Sequence, residues 1–127
     1  MEKAQLFALV ERGDKASLEA ALAAGADAKT RDGAGVSLLQ APAAKGDAAL
    51  VALLLGAGAE ADRSCDAGNT PLMAASAKGA VAAVDALLRA GADASRSNRW
   101  GLSAYDWAKW AEAPEEIRSR LRDAGAA

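Results

Sequence analysis

The residue types needed for most enzyme chemistry are scarce in this sequence of 127 residues. It has no histidine, so the commonest general base and metal ligand is missing, and no Ser-His or Cys-His pair can form. Cys65 is its one cysteine, which excludes an intrachain disulfide and a thiolate metal cluster. A lone cysteine without an activating base is a poor nucleophile, and no phosphate-binding loop is present. The sequence therefore predicts a protein that is not an enzyme and has no metal or other cofactor.

The charges nearly balance, with 15 basic and 17 acidic residues and a formal net charge of −2. Proteins that bind nucleic acids usually carry a strong basic excess, so we expect no nucleic-acid partner. The longest apolar run, residues 48–55, is too short to span a bilayer, and the N-terminus does not resemble a secretory signal. These features predict a cytoplasmic protein without a membrane partner.

Alanine dominates the apolar residues, which make up 52% of the sequence, whereas aromatic residues make up 4%. Strands are normally built from β-branched and aromatic residues, which are few here. Alanine is the best helix former and allows helices to approach closely. The composition therefore predicts an all-α fold.

A repeat of 33 residues organises these helices, because several sequence features recur at that step without insertion. Such a period is typical of stacked repeat architectures. The recurring positions are Gly13, Gly46 and Gly79; Gly25, Gly58 and Gly91; Gly35, Gly68 and Gly101; Ser37, Thr70 and Ser103; and the leucine pairs 54–55 and 87–88.

Each repeat reads as a pair of short helices followed by an extended connector of roughly eight residues. Thr70 is a good N-cap, and Pro71 at the first helical position loses only an N–H that has no partner within the helix. Ser37 with Gln40 predicts a capping box at the equivalent helix of the preceding repeat. In the two full repeats, Gly46 and Gly79 end the first helices, and Gly58 and Gly91 end the second helices in positions that favour a left-handed C-cap.

The stretch 68–75, Gly-Asn-Thr-Pro-Leu-Met-Ala-Ala, resembles the signature of the ankyrin repeat family, with Met73 where that family usually has histidine. The glycines and leucines that follow also stand at the family's spacings. The resemblance implies a solenoid of four stacked helix-turn-helix units within a single domain, residues 1–127. These are an N-terminal cap (about 2–31), two full repeats (32–64 and 65–97) and a C-terminal cap (98–126).

Two residues of the second unit depart from the family pattern. Pro42 replaces an alanine in the middle of the expected first helix, where it would cost about 3 kcal/mol if unrelieved. Gly56 lies in the last turn of the second helix and costs up to about 1 kcal/mol relative to alanine. We expect this unit to be the weakest, either through drift in a tolerant fold or because a bent groove suits a partner.

The resemblance also implies binding of another protein through the connector loops, or fingers, and through the concave face of the first helices. Arg12, Lys45 and Lys78 precede the helix-ending glycines at a step of 33 and would line one edge of that face. A basic groove of this kind would steer an acidic partner. Alternatively, these cations are solvated residues that complement the helix dipoles.

The aromatic residues are concentrated in the last unit. Tyr105 is expected in the core, and Trp107 is expected to pack against the preceding repeat. Trp100 in the finger and Trp110 in the groove should be at least partly exposed. Exposed tryptophans are frequent interface hot spots, but these two could instead form a lid over the C-terminal end.

The sequence therefore predicts a monomeric protein-binding module that acts as an inhibitor, a neutraliser or an adaptor. The alternative is a structural homo-oligomer that associates through the tryptophan-rich unit. The candidate partner-binding residues are Arg12, Lys45, Lys78, Asp66, Asn69, Arg99, Trp100 and Trp110.

Overall fold

The structure, a computed structural model, describes residues 2–125. These residues form helices in four antiparallel pairs, and no extended strand occurs among them. Isolated β-bridges between Arg31 and Ser37 and between Ser97 and Ser103 close the bases of two fingers. The predicted all-α repeat solenoid is confirmed. The first helices are α1 (Lys3–Arg12), α3 (Gln40–Lys45), α5 (Pro71–Lys78) and α7 (Ala104–Trp110); the second helices are α2 (Lys15–Ala23), α4 (Ala48–Gly56), α6 (Val81–Arg89) and α8 (Glu115–Asp123).

Tight turns join the two helices of each pair, and glycine forms the first three of them. Gly46 follows α3 with φ 74°, a left-handed conformation that L side chains disfavour. The next residue, Asp47, is the N-cap of α4, and its carboxylate accepts a hydrogen bond from the Leu50 amide at 3.1 Å. In the last unit Glu112 replaces the glycine and still adopts a positive φ of 53°.

The first helix of the second unit is shorter than predicted. The capping box of Ser37 and Gln40 does not form: α3 begins at Gln40 after Leu39, and the Ser37 hydroxyl is buried without a hydrogen-bond partner. The proline ring of Pro42 would crowd the carbonyl of residue 38 in a regular helix, and residues 38–39 form a turn instead. Pro42 is then the third residue of α3, where its missing N–H has no acceptor within the helix. Pro42 thus lies inside a short α3, but the predicted loss of a helical hydrogen bond does not arise.

The core lies between the two layers of helices and runs the length of the stack. Leucine and valine side chains fill it, whereas small residues lie where first helices pack against one another. Ala75 and Ala108 hold the same repeat position in α5 and α7, and both are fully buried. A bulkier side chain at these positions would push adjacent units apart, so alanine sets the close spacing of the stack.

The last helix, α8, has one narrow apolar stripe. Ile117 and Leu121 of α8 are fully buried, and its acidic and basic residues face outward or lie at the edge of the core. Arg120 forms an ion pair with Asp85 of α6, at 2.6 Å between Nε and Oδ1. A helix with one buried face is what a terminal repeat requires, since it has a neighbour on one side.

Candidate protein-binding surface

The outward face of the first helices forms a shallow groove with a floor of small side chains. Residues three apart on a helix lie on one face, so each first helix contributes two side chains to the floor. The side chains in the groove floor are exposed or half-buried. The groove floor consists of one row of Ala8, Ala41, Ala74 and Trp107 and a second row of Glu11, Ala44, Ala77 and Trp110.

Both rows end in tryptophan at the C-terminal unit. The rings of Trp107 and Trp110 meet edge to face, with centroids 6.2 Å apart and planes at 71°. This geometry is favourable for aromatic pairs. Trp110 is 67% exposed, while Trp107 is half-buried and packs on the core. We call this pair the tryptophan wall, because two large rings stand at the end of an alanine floor.

A depression of about 160 Å³ lies at the foot of the tryptophan wall. Met73, Ala74 and Ala77 of α5 form its apolar side together with Trp107. The amide side chains of Gln40 and Asn69 complete its rim. Of these six residues, Asn69 alone was a predicted binding residue. For Ala74, Ala77 and Trp107, the available signal was the alignment of Ala74 with Trp107 and of Ala77 with Trp110 at a step of 33.

The three predicted cations lie along one edge of the groove. Arg12, Lys45 and Lys78 are the last residues of α1, α3 and α5, and all are exposed. They differ in their partners: the Lys45 ammonium donates to the Glu11 carbonyl of the preceding unit. Arg12 lies 3.6 Å from the carboxylate of Asp14.

Neither Lys45 nor Lys78 forms an ion pair within residues 2–125, and Lys45 differs from Lys78 by its hydrogen bond to the Glu11 carbonyl. Hydrogen bonds from Ser17 are the main cause that lowers the pKa of Asp14, and the charge of Arg12 adds to the effect. Asp14 therefore keeps its negative charge to a lower pH than an ordinary aspartate, and this charge lies beside Arg12. The free positive charge is consequently greater toward the middle of the groove than at its N-terminal end.

The finger residues that were predicted to bind a partner also hold neighbouring fingers together. The Arg99 guanidinium donates to the Asp66 carbonyl at 2.9 Å, and the Arg99 amide donates to the Ala67 carbonyl at 3.0 Å. The side-chain amide of Asn98 donates to the Asn69 side chain at 2.9 Å. Asp66 and Arg99 remain exposed, so they are available at the finger edge, whereas Asn69 is half-buried and lines the depression in the groove.

Asn98 positions the last finger and was missed by the sequence reasoning. Its side-chain oxygen accepts hydrogen bonds from the amides of Trp100 at 2.9 Å and Leu102 at 3.0 Å. Asp32, at the same repeat position two units earlier, accepts from Ala34 and Val36 in the same way. An Asx residue shortly before a glycine in a turn was the available signal.

The tryptophans and the tyrosine of the last unit are placed differently. Trp100 is 66% exposed at the finger, and Trp110 is exposed to the same extent in the groove, so neither covers the core. Tyr105 was expected in the core but is half-buried. Its hydroxyl accepts from Arg122 at 3.2 Å, and the cations of Lys109 and Arg122 lie 5.5 and 5.8 Å from its ring centre. The phenol needs a polar partner, and α8 supplies it at the surface.

A family model of ankyrin repeats, with three copies, matches residues 6–98 of the chain. This match covers more than half of the sequence, and the chain belongs to the ankyrin repeat family. Ankyrin repeats are generally protein–protein interaction modules, and the family is a non-enzymatic interaction scaffold. A search of curated proteins finds no significant match to this chain. Within residues 2–125, no helix combines the length and apolar character needed to cross a membrane.

Proposed function

We propose that this protein is a monomeric binding module that recognises an acidic surface of another protein and acts as an inhibitor, a neutraliser or an adaptor. The observation that carries the proposal is the exposure of Trp100 and Trp110 on one unit, at the finger and in the groove. Exposed tryptophans frequently anchor protein interfaces.

The acidic character of the partner is supported by the exposed cations at the groove edge. Arg12, Lys45 and Lys78 lie at one repeat position in three adjacent units. The finger adds the exposed Arg99 beside Trp100. A cluster of one charge sign beside apolar anchors favours encounter with a surface of the opposite sign.

A capture experiment tests the aromatic part of the proposal. The wild-type protein and the double variant Trp100→Ala/Trp110→Ala are used as bait in native cell lysate, followed by affinity measurement on any retained protein. We expect the variant to weaken binding by about 2 kcal/mol or more, because it removes both anchors. Unchanged affinity, with unchanged thermal stability, would show that the tryptophans are not anchors.

A charge-reversal pair tests the electrostatic part. Lys78 ends α5 on the groove edge, and Arg89 ends α6 in the second layer of helices of the same unit. Lys78→Glu and Arg89→Glu change the net charge equally, but Lys78→Glu should slow association several-fold, about tenfold when combined with reversal at Arg12 and Lys45. Equal on-rates for the two single variants would remove the steering role of the groove edge.

A structural homo-oligomer is the second candidate function, since the same exposed tryptophans could pair between copies of the chain. Light scattering over a range of concentrations separates the two functions, because a binding module stays at the mass of one chain. The predicted cytoplasmic location remains a prediction that cell fractionation tests.

A further inference from the structure

We propose that the depression at the foot of the tryptophan wall is an anchor pocket for one large apolar side chain of an acidic peptide segment. The occupant is a segment of the partner protein, so the inference rests on the proposed function and makes it specific. It assigns binding roles to Met73, Ala77 and Trp107, three residues on two adjacent units.

The size and lining of the pocket select the anchor. Its volume is about 160 Å³. A cavity of about 150 Å³ with apolar walls accommodates a benzene ring, so one leucine, methionine or phenylalanine side chain fits. The Trp107 ring and the α5 side chains supply the apolar walls, while Gln40 and Asn69 can hydrogen-bond the peptide backbone at the rim.

The groove floor explains why the anchor must bind at this end. Ala41 and Ala44 of the preceding unit present small side chains that offer an apolar anchor little contact area. The tryptophan wall lies at the C-terminal end of the groove floor, and Trp110, beyond the pocket, is 67% exposed. An extended segment along the floor would therefore end with its large side chain against Trp107.

The charges around the pocket select the flanking residues of the segment. Lys78 follows Ala77 directly in the chain and forms no ion pair among the described residues. Asp106, the one carboxylate of α7, already accepts from the amide and hydroxyl of Ser103 at 2.9 and 3.2 Å. Beside Trp110, the exposed Lys109 and Glu112 contribute one charge of each sign. Glu11 lies at the opposite end of the groove floor. Acidic residues beside the anchor therefore complement this end of the groove better than the N-terminal end.

Blocked pentapeptides provide a probe of defined chemistry. The first has the sequence Glu-Asp-Leu-Asp-Glu, the second has alanine in place of leucine, and the third is Lys-Lys-Leu-Lys-Lys. Each is titrated to about 5 mM into isotopically labelled full-length protein, a range that detects dissociation constants of about 1 mM. The indole N–H signals of the three tryptophans report the location: Trp107 and Trp110 should shift, and Trp100 on the finger should not.

Replacing the leucine of the peptide by alanine should reduce affinity about tenfold, because most of a leucine side chain is then lost from the pocket. Ala77→Leu fills the pocket and should reduce binding of the leucine peptide to a similar extent. Ala82→Leu is the matched control: it is the same change at an exposed position of α6, on the second helix of the same unit and away from the groove, and should leave the affinity unchanged.

The possible outcomes separate the pocket from the wider function. If both acidic peptides bind equally, the groove still favours acidic partners but the anchor pocket is refuted. If the leucine and lysine peptides bind equally at Trp107, the pocket is supported and the preference for an acidic partner is refuted. No shift with any peptide, or shifts confined to Trp100, overturns the pocket. Shifts of Trp107 that follow protein concentration alone identify a second copy as the occupant and also overturn it.

Discussion

The close approach of Gly68 to the next finger predicts a large difference between two otherwise equal glycine substitutions. Gly68 and Gly101 hold the same repeat position, with φ of 84° and 78°. A Cβ atom on Gly68 would lie 3.1 Å from the Asn98 Cα and 3.2 Å from the Arg99 amide nitrogen. A Cβ on Gly101 would meet nothing within 4 Å. Gly68→Ala and Gly101→Ala thus share the backbone strain, and Gly68→Ala alone adds a clash with the next finger.

The two costs can be estimated separately. A positive φ costs an L residue roughly 1–2 kcal/mol, and restriction of the unfolded chain by alanine returns about 0.4–1 kcal/mol. Gly101→Ala should therefore reduce the free energy of unfolding by about 1 kcal/mol. Gly68→Ala should lose about 1–3 kcal/mol more, the usual cost of overpacking. The finger cannot simply move away, because the Arg99 amide is bonded to the Ala67 carbonyl at 3.0 Å.

Urea denaturation followed by circular dichroism measures the difference, and Gly35→Ala refines it. Gly35 also has a positive φ, of 79°, but its added Cβ would approach the Asp66 carboxylate, a flexible side chain that can turn away. We expect the order Gly68→Ala, then Gly35→Ala, then Gly101→Ala, from most to least destabilising. If Gly68→Ala and Gly101→Ala agree within about 0.5 kcal/mol, the reasoning about finger spacing is wrong.

Three further predictions concern helix ends and charges. Ala80 is the N-cap of α6 with φ −89° and ψ 90°, close to the φ of −82° and ψ of 84° at Asp47, the N-cap of α4. Ala80→Asp should therefore raise the free energy of unfolding by about 1 kcal/mol, and Asp47→Ala should lower it equally. An unchanged urea midpoint for Ala80→Asp would contradict this. Glu112→Gly relieves the positive φ of 53° and should raise the free energy of unfolding by up to about 1 kcal/mol. Calorimetry would show this as a higher melting temperature. A lower melting temperature would show that Glu112 makes a compensating contact. Hydrogen bonds from Ser17 lower the pKa of Asp14, and a hydrogen bond from Arg122 lowers the pKa of Glu115. A carboxyl group whose pKa is lowered by folding stabilises the fold above its unfolded pKa, and this stabilisation is lost as the pH falls. The urea midpoint should therefore drop between about pH 6 and about pH 3, and a constant midpoint would refute the contribution.

The candidate surface was only partly predictable from the sequence. The step of 33 placed Arg12, Lys45 and Lys78 at one repeat position, and the structure has them at the ends of three successive first helices. Their ion pairing could not be read from the sequence, because it depends on which carboxylates lie within reach in space. Arg12 pairs with Asp14, and Lys45 donates a hydrogen bond to the Glu11 carbonyl of the preceding unit. Lys78 forms no ion pair among the described residues.

The second unit shows how local rules can give the wrong detail within a correctly predicted fold. Ser37 with Gln40 fits the pattern of a capping box, and Pro42 fits that of a helix breaker. These two rules conflict, since a helix that starts after Ser37 places Pro42 in its interior. The structure resolves the conflict by starting α3 at Gln40, which leaves the Ser37 hydroxyl unpaired but gives the proline a position without a required N–H.

The sequence by itself determined the helical class, the repeat and the ends of most helices, because alanine, leucine, glycine and the capping residues act over one or two turns. Tertiary structure alone decided the pocket beside Trp107 and the partial burial of Tyr105. Those properties depend on how far one unit is rotated and shifted against the next, and many weak contacts between units set that geometry together.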